Sequence, residues 1–274
     1  HRDEEDLRVW VVTDEQVYNE FSSGTPDASA IRWLMKMLYD CAPDAASRPK
    51  ALLLFGDGTF DNRQLFSNSG KNTLITYQAA NSTDEVQAYA SDDYFAFLED
   101  KDGLNSATFS DRYGIMRIGV GRLPVNTLSE ANGVVDKIAA YIQSDDLEPW
   151  KQQTVFLADD GDHGEHTSAS DEAAQTVRKR HPDLVVNKIF MDSYRQESGA
   201  SGDSYPLAYN RFQNLLQSGV LLMSYSGHGS PNNIASEMFL TQSDINAMQN
   251  EHQAFWMLAT CNFSYFVFQD STAR

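Results

Sequence analysis

Apolar residues in this chain come in short bursts, "LRVWVV", "ALLLFG", "YGIMRIGV", "TVFLAD", "DLVVNKIF", "GVLLMSYS" and "AFWMLAT", with longer amphipathic stretches between them. Bursts of this length are too short for helices and too uniformly apolar to alternate. They predict buried strands, and the helical spacers predict a mostly parallel α/β sheet flanked by helices. In "TPDASAIRWLMKMLYD", Pro26 suits a first helical turn, and Ile31, Leu34, Met35 and Leu38 fall on one face. "LSEANGVVDKIAAYIQ" reads the same way. One region breaks the rhythm. "DDYFAFLEDKDGLNSATFSD" sets aromatic and apolar residues on either side of Asp102-Gly103, which favours a tight turn, so an antiparallel hairpin is expected near 93–110. The polar break "QSDDLEPWKQQ" separates two subdomains, 1–150 and 151–274, and "RQESGASGDSYP" reads as a surface loop.

Composition narrows the partners. The chain of 274 residues has 21 basic and 39 acidic side chains and a formal charge of -18, which excludes nucleic acid as a partner and leaves room for structural calcium. No apolar run approaches the length of a membrane span. Two cysteines, Cys41 and Cys261, exclude a disulfide scaffold and a Cys-rich zinc site. The charged start "HRDEEDLRVW" has no apolar leader, so any export signal is expected outside this chain.

Ligands of an open α/β sheet bind beyond the carboxyl ends of its strands. His228, in "SYSGHGS", follows one apolar burst, and Cys261, in "LATCNFS", follows the next. The segment between them contains enough helix to cross back over the sheet, so two neighbouring parallel strands would bring both side chains to one edge. A free thiol is mostly protonated at neutral pH, and a nearby imidazole activates it by accepting its proton. In that arrangement Cys261 attacks a carbonyl carbon and His228 passes the proton to the leaving amine. Glycines on both sides of His228 free the backbone for an unusual turn, and the amides of Gly229 and Cys261 form an oxyanion hole.

Those residues carry a resemblance. "YSGHGS" and "ATCNFSYF", with "ALLLFGDG" and "GIMRIGVGRLPV" upstream, are similar to motifs of the gingipain family of cysteine peptidases, whose fold resembles that of caspases. The resemblance implies a caspase/gingipain-like α/β fold in two subdomains. It also implies Cys261 as nucleophile and His228 as general acid and base, with no cofactor required. In gingipains a carboxylate after the first strand of the second half orients the histidine. The matching residue here is Asp160, where the family carries Glu, with Asp159 or a bridging water as alternatives. Asp171 matches a position that lines the pocket for a basic side chain, and equally suits a helix first turn, where a carboxylate meets the dipole.

"EQVYNEFSSGTPDASAIR", "FGDGTFDNR" and "ASDDYFAFLED" look closer to the sortase branch of that family. This implies an exported protein at the outer membrane and cell surface. Its partners would be secreted cargo with a C-terminal sorting domain, a lipopolysaccharide amine as acceptor, and other outer-membrane secretion components. A gingipain-type endopeptidase that hydrolyses the thioester and a non-catalytic surface scaffold are the rival readings. The family domain has a strand and helix before the first residue here and continues past the cysteine, so this chain alone is expected to be incomplete and inactive. "EDKDGLN" does not fit a helix-loop-helix calcium pattern. His163 and His166, beside Asp162 and Glu165, lack a third ligand at fixed spacing and read as an exposed loop rather than a metal site. Cys41 is expected to be a free thiol.

Overall fold

The computed structural model describes every residue except 1–6, 60, 66–72, 79–89, 101, 103–113, 145–147, 201, 262 and 264–274. Every apolar burst but the first contributes a strand. The strands are β1 (Ala51–Phe55), β2 (Gly119–Leu123), β3 (Gln153–Ala158), β4 (Val185–Phe190), β5 (Glu197–Gly199), β6 (Gly202–Ser204), β7 (Leu222–Ser226), β8 (Gly229–Ser230), β9 (Asn233–Ile234), β10 (Leu240–Thr241) and β11 (Phe255–Ala259). The helices are α1 (Asp14–Phe21), α2 (Ala28–Asp40), α3 (Leu128–Gln143), α4 (Glu165–Arg180), α5 (Pro206–Ser218) and α6 (Gln242–Ala247). "LRVWVV" forms no strand. Among the described residues no strand pairs with it, and Val9, Trp10 and Val11 stay exposed.

The chain divides into two compact units within α3, between Val134 and Val135. In the first, β1 and β2 pair in parallel from Ala51 opposite Gly119 to Phe55 opposite Leu123. A capping box at Thr13 starts α1, and Asp27 caps α2, so Pro26 precedes the helix instead of lying in its first turn. The expected face of α2 is the buried one, with Ile31 and Leu34 packed in one cluster with Leu54. The expected hairpin is different. Asp92–Ala96 is a 3₁₀ helix capped by Ser91, the pairing is a single antiparallel bridge between Phe97 and Met116, and 103–113 lie outside the described residues.

The second unit is built on a four-stranded, all-parallel sheet ordered β11-β7-β3-β4. From β3 the chain steps to β4 on one side, then returns past β3 to β7 and on to β11. The crossover direction therefore reverses between β3 and β4 on one hand and β7 on the other, which is where such sheets open a binding crevice. β3 is buried on both faces. Val155 and Leu157 join Met223, Tyr225, Ile189 and the α5 residues Ala208, Phe212 and Leu216 in one core. By alternation Phe156 and Ala158 face the opposite side, where Ser170 of α4 donates to the Leu157 carbonyl at 3.1 Å. At the sheet edge Phe255 and Met257 leave one face of β11 exposed while Trp256 and Leu258 pack inward. Among the described residues no helix is long and apolar enough to cross a membrane.

Phe212 is fully buried, with ring contacts to Tyr209, Phe239 and Trp256. Phe212→Ala is expected to lower the unfolding free energy in urea by about 3–5 kcal/mol. A loss under about 1 kcal/mol would mean that α5 does not hold this sheet.

Candidate active site

The parallel register sets the ends of β7 and β11 level, with Ala259 opposite Ser226, and Gly227 N–H then donates to the Ala259 carbonyl at 3.2 Å. His228 and Cys261 leave these adjacent ends. The two loops touch: a methyl on Gly229 would lie 2.3 Å from Thr260 Oγ1 and 3.1 Å from the Cys261 carbonyl oxygen. Cys261 is exposed, as is Cys41, and both are free thiols.

After His228 the chain forms a tight hairpin, β8 against β9. Ala235 N–H donates to the His228 carbonyl at 2.9 Å, which makes Gly229 and Ile234 a non-hydrogen-bonded pair. The Gly229 amide therefore points away from β9 and is not used by the hairpin. The glycines serve a different purpose from the one expected. Neither Gly227 nor Gly229 is among the positive-φ glycines. They are required by close approach instead, because a methyl on Gly227 would lie 2.4 Å from the Tyr225 hydroxyl and 2.5 Å from the Asp159 carboxylate.

Two buried groups fix this loop. Asp159 is 1% exposed and its Oδ2 accepts the main-chain N–H of His228 at 2.6 Å. The Tyr225 hydroxyl donates to the His228 carbonyl at 2.6 Å and accepts Ala235 N–H at 3.1 Å. Burial, followed by the charge of Asp159, pushes the Tyr225 phenol well above its ordinary range and keeps it a donor.

The carboxylate at the His228 ring is Asp162, whose Oδ2 lies 2.6 Å from Nε2. Asp160 instead accepts the Tyr205 hydroxyl at 2.6 Å, so it does not orient the histidine. Asp162 gets there through a run of left-handed backbone: Gly161 at φ 92°, Asp162 at 43°, His163 at 55° and Gly164 at 78°. Left-handed non-glycine residues cost of order 1–3 kcal/mol each and collect at functional sites. His163 stays in that turn. His166, in the first turn of α4, sets its ring edge-on to His228, with centroids 5.1 Å apart and planes at 86°. Its Nδ1 is 2.7 Å from Asp159 Oδ1, yet the two atoms are misaligned and both are buried without a hydrogen bond. The sequence suggests an exposed loop for His166, but it lies in the first turn of α4, and its contact with His228 joins positions far apart in the chain.

Asp171 lies in the middle of α4 and not in its first turn, where it pairs with Lys188 and accepts from Gln175. Lys188, then Gln175, holds its carboxyl below the usual range. It binds its own helix and β4 and is not brought to His228. Glu237 has the opposite character: burial first, and the charge of Asp160 among lesser causes, raise its carboxyl, and its Oε2 is buried without a hydrogen bond.

The model for peptidase family C25 matches residues 1–274. The solved structure of the Arg-specific cysteine proteinase gingipain R superposes with a TM-score of 0.62 at 13% identity, covering 92% of this chain and 49% of that one. The complex of Porphyromonas gingivalis RgpB pro- and mature domains gives 0.67 at 16% identity, with 98% and 53% covered. The chain thus spans about half the length of the solved structures it matches, and shares their caspase/gingipain-like α/β fold. No curated protein sequence matches it significantly.

The raised Glu237 carboxyl gives a pH prediction with a definite sign. Its contribution to stability is fully present below the ordinary value of 4.5 and is lost as pH rises through the higher folded-state value. Glu237→Gln is therefore expected to raise the urea midpoint near pH 8 relative to wild type and to leave it little changed near about pH 4. Equal changes at both pH values would contradict the assigned cause.

Proposed function

This chain belongs to peptidase family C25, and from that premise we propose that Cys261 and His228 form the dyad of a cysteine peptidase that acts as a sortase of the PorU type. The observation that carries the peptidase reading is the delivery of His228 and Cys261 from level ends of adjacent parallel strands, with Asp162 on the far nitrogen of the imidazole.

Asp162 takes Nε2, so proton exchange with the thiol falls to Nδ1. The Cys261 thiol gives its proton to His228, and the thiolate attacks the scissile carbonyl. The oxyanion that forms takes hydrogen bonds from the amides of Gly229 and Cys261. His228 returns the proton to the leaving amine as the C–N bond breaks, leaving a thioester on Cys261. Asp162 stabilises the transient imidazolium. The second half reverses these proton movements with the acceptor in place of the leaving amine. No step calls for a cofactor.

The choice of acceptor separates sortase from endopeptidase. Closeness of "EQVYNEFSSGTPDASAIR", "FGDGTFDNR" and "ASDDYFAFLED" to the sortase branch supports an amine acceptor, and with it cleavage of a C-terminal sorting domain from type IX secretion cargo. On this reading the amine belongs to anionic lipopolysaccharide. The protein is then exported to the outer-membrane surface, where it works with other secretion components.

Incubating the intact parent protein with tagged cargo and an amine acceptor is expected to yield cargo joined to the amine, with no product from Cys261→Ala. Products bearing only free carboxyl ends would replace the sortase with a hydrolase. Thiol chemistry tests the dyad separately. Cys261 is expected to be alkylated faster than Cys41 near neutral pH, with the advantage lost in His228→Ala. Equal rates in the wild-type protein would favour a non-catalytic scaffold.

A further inference from the structure

Three side chains meet at the carboxyl ends of β3 and β7 in a way that acid and base catalysis alone does not use. Asp159, His166 and His228 each offer a ligand atom, and the three atoms lie within 4.8 Å of one another. Asp159 is buried to 99%, the complement of its 1% exposure, and its Oδ1 faces this cluster without a hydrogen bond. His166 Nδ1, also buried, stands 2.7 Å away without donating to it. Two polar atoms left without hydrogen bonds at that separation cost stability as they are, since a buried polar atom loses its water without compensation. An ion between them would satisfy both.

We propose that Asp159, His166 and His228 form a binding site for a divalent transition ion of the Zn²⁺ class, and that occupancy switches the active site off. Two imidazoles and one carboxylate suit Zn²⁺ and its neighbours, whereas Ca²⁺ and Mg²⁺ prefer all-oxygen shells. Tetrahedral donors about 2.1 Å from one ion stand about 3.4 Å apart, so Asp159 Oδ1 and His166 Nδ1 part slightly while His228 closes on them. The ring of His228 is half exposed and can turn to do so. Asp162, already on His228 and 3.7 Å from His166 Nε2, stands at the rim as a fourth ligand or as the group the ion displaces. An imidazole that coordinates an ion has no lone pair left for the Cys261 proton. The silencing rests on the peptidase reading, while the binding does not.

The two are separated by measuring binding in Cys261→Ala protein, where catalysis is already absent. Titration of the metal-free protein with Zn²⁺, and with Co²⁺ as a spectroscopic substitute, is expected to show one ion per chain. The visible Co²⁺ bands should mark nitrogen and oxygen ligation, with no displacement by excess Ca²⁺ or Mg²⁺. His166→Ala should weaken binding by at least the roughly tenfold that loss of an outer-shell partner costs, and His163→Ala should not change it. Affinity should also fall as the pH drops and the imidazoles protonate. In protein that retains Cys261, Zn²⁺ should abolish the neutral-pH reactivity advantage of that thiol in wild type, and much less so in His166→Ala. Binding that is lost in Cys261→Ala, or that is indifferent to His166→Ala, would overturn the site. Binding as described with no effect on the thiol would overturn the silencing alone.

Discussion

A single hydrogen bond to a buried carboxylate organises the carboxyl edge of the sheet: Asp159, at the end of β3, accepts the main-chain N–H of His228 at 2.6 Å. A carboxylate this deeply buried must be compensated by donors, because a charge transferred from water without them is strongly unfavourable. The donor is the second amide beyond β7, that of His228, and so the turn after β7 is drawn down onto the end of β3. The glycine before the histidine follows from the same contact, since there is no room for a side chain between Asp159 and the Tyr225 hydroxyl. Tyr225 then holds the opposite face of the turn through the His228 carbonyl. The Gly-His-Gly sequence is therefore explained by crowding around a buried charge and not by backbone freedom at positive φ.

The same edge shows how topology and local strain divide the work. The reversal of crossover direction beside β3 opens a crevice there whatever the loops contain. What fills it depends on a short turn in which Asp162 and His163 sit in left-handed conformations between two glycines. A regular turn after "FLADD" would continue directly into α4. The strained one places Asp162 against the imidazole and lets the first turn of α4 carry His166 to the other side of it.

Legibility in the sequence tracked how local each cause is. The strands of the parallel sheet are fixed by continuous apolar runs, and where those runs stop marks the places of His228 and Cys261 at adjacent strand ends, so the strands and these placements could be read. Asp162 is not among the carboxylates expected at the histidine, because four successive positive φ values carry it there and leave no mark in the sequence beyond Gly161 and Gly164. His166 could not be paired with His228 from spacing because their contact runs through the fold. The start of the 93–110 stretch departs from the expected strand for another reason. Its aromatic residues satisfy a strand pattern, but Tyr94, Phe95 and Ala96 are buried from a 3₁₀ turn, where Ser91 supplies the cap.

The arrangement separates what must be rigid from what must move. The backbone of His228 is held by groups that are almost completely buried, Asp159 and Tyr225, whose hydrogen bonds water does not weaken. Its ring, by contrast, is 53% exposed and pairs with a carboxylate that is 48% exposed, so solvent screens that attraction and the pair is weakly held. In the proposed mechanism the base has to face a thiol, a leaving amine and an incoming acceptor in turn, and a ring locked by a buried partner would serve one of these and hinder the others. Fixing the main chain while leaving the side chain in a shallow, screened well meets both demands. It also leaves the imidazole open to capture by any group nearby that binds it more strongly than Asp162 does, and the two unsatisfied atoms of Asp159 and His166 are placed to help an ion do that.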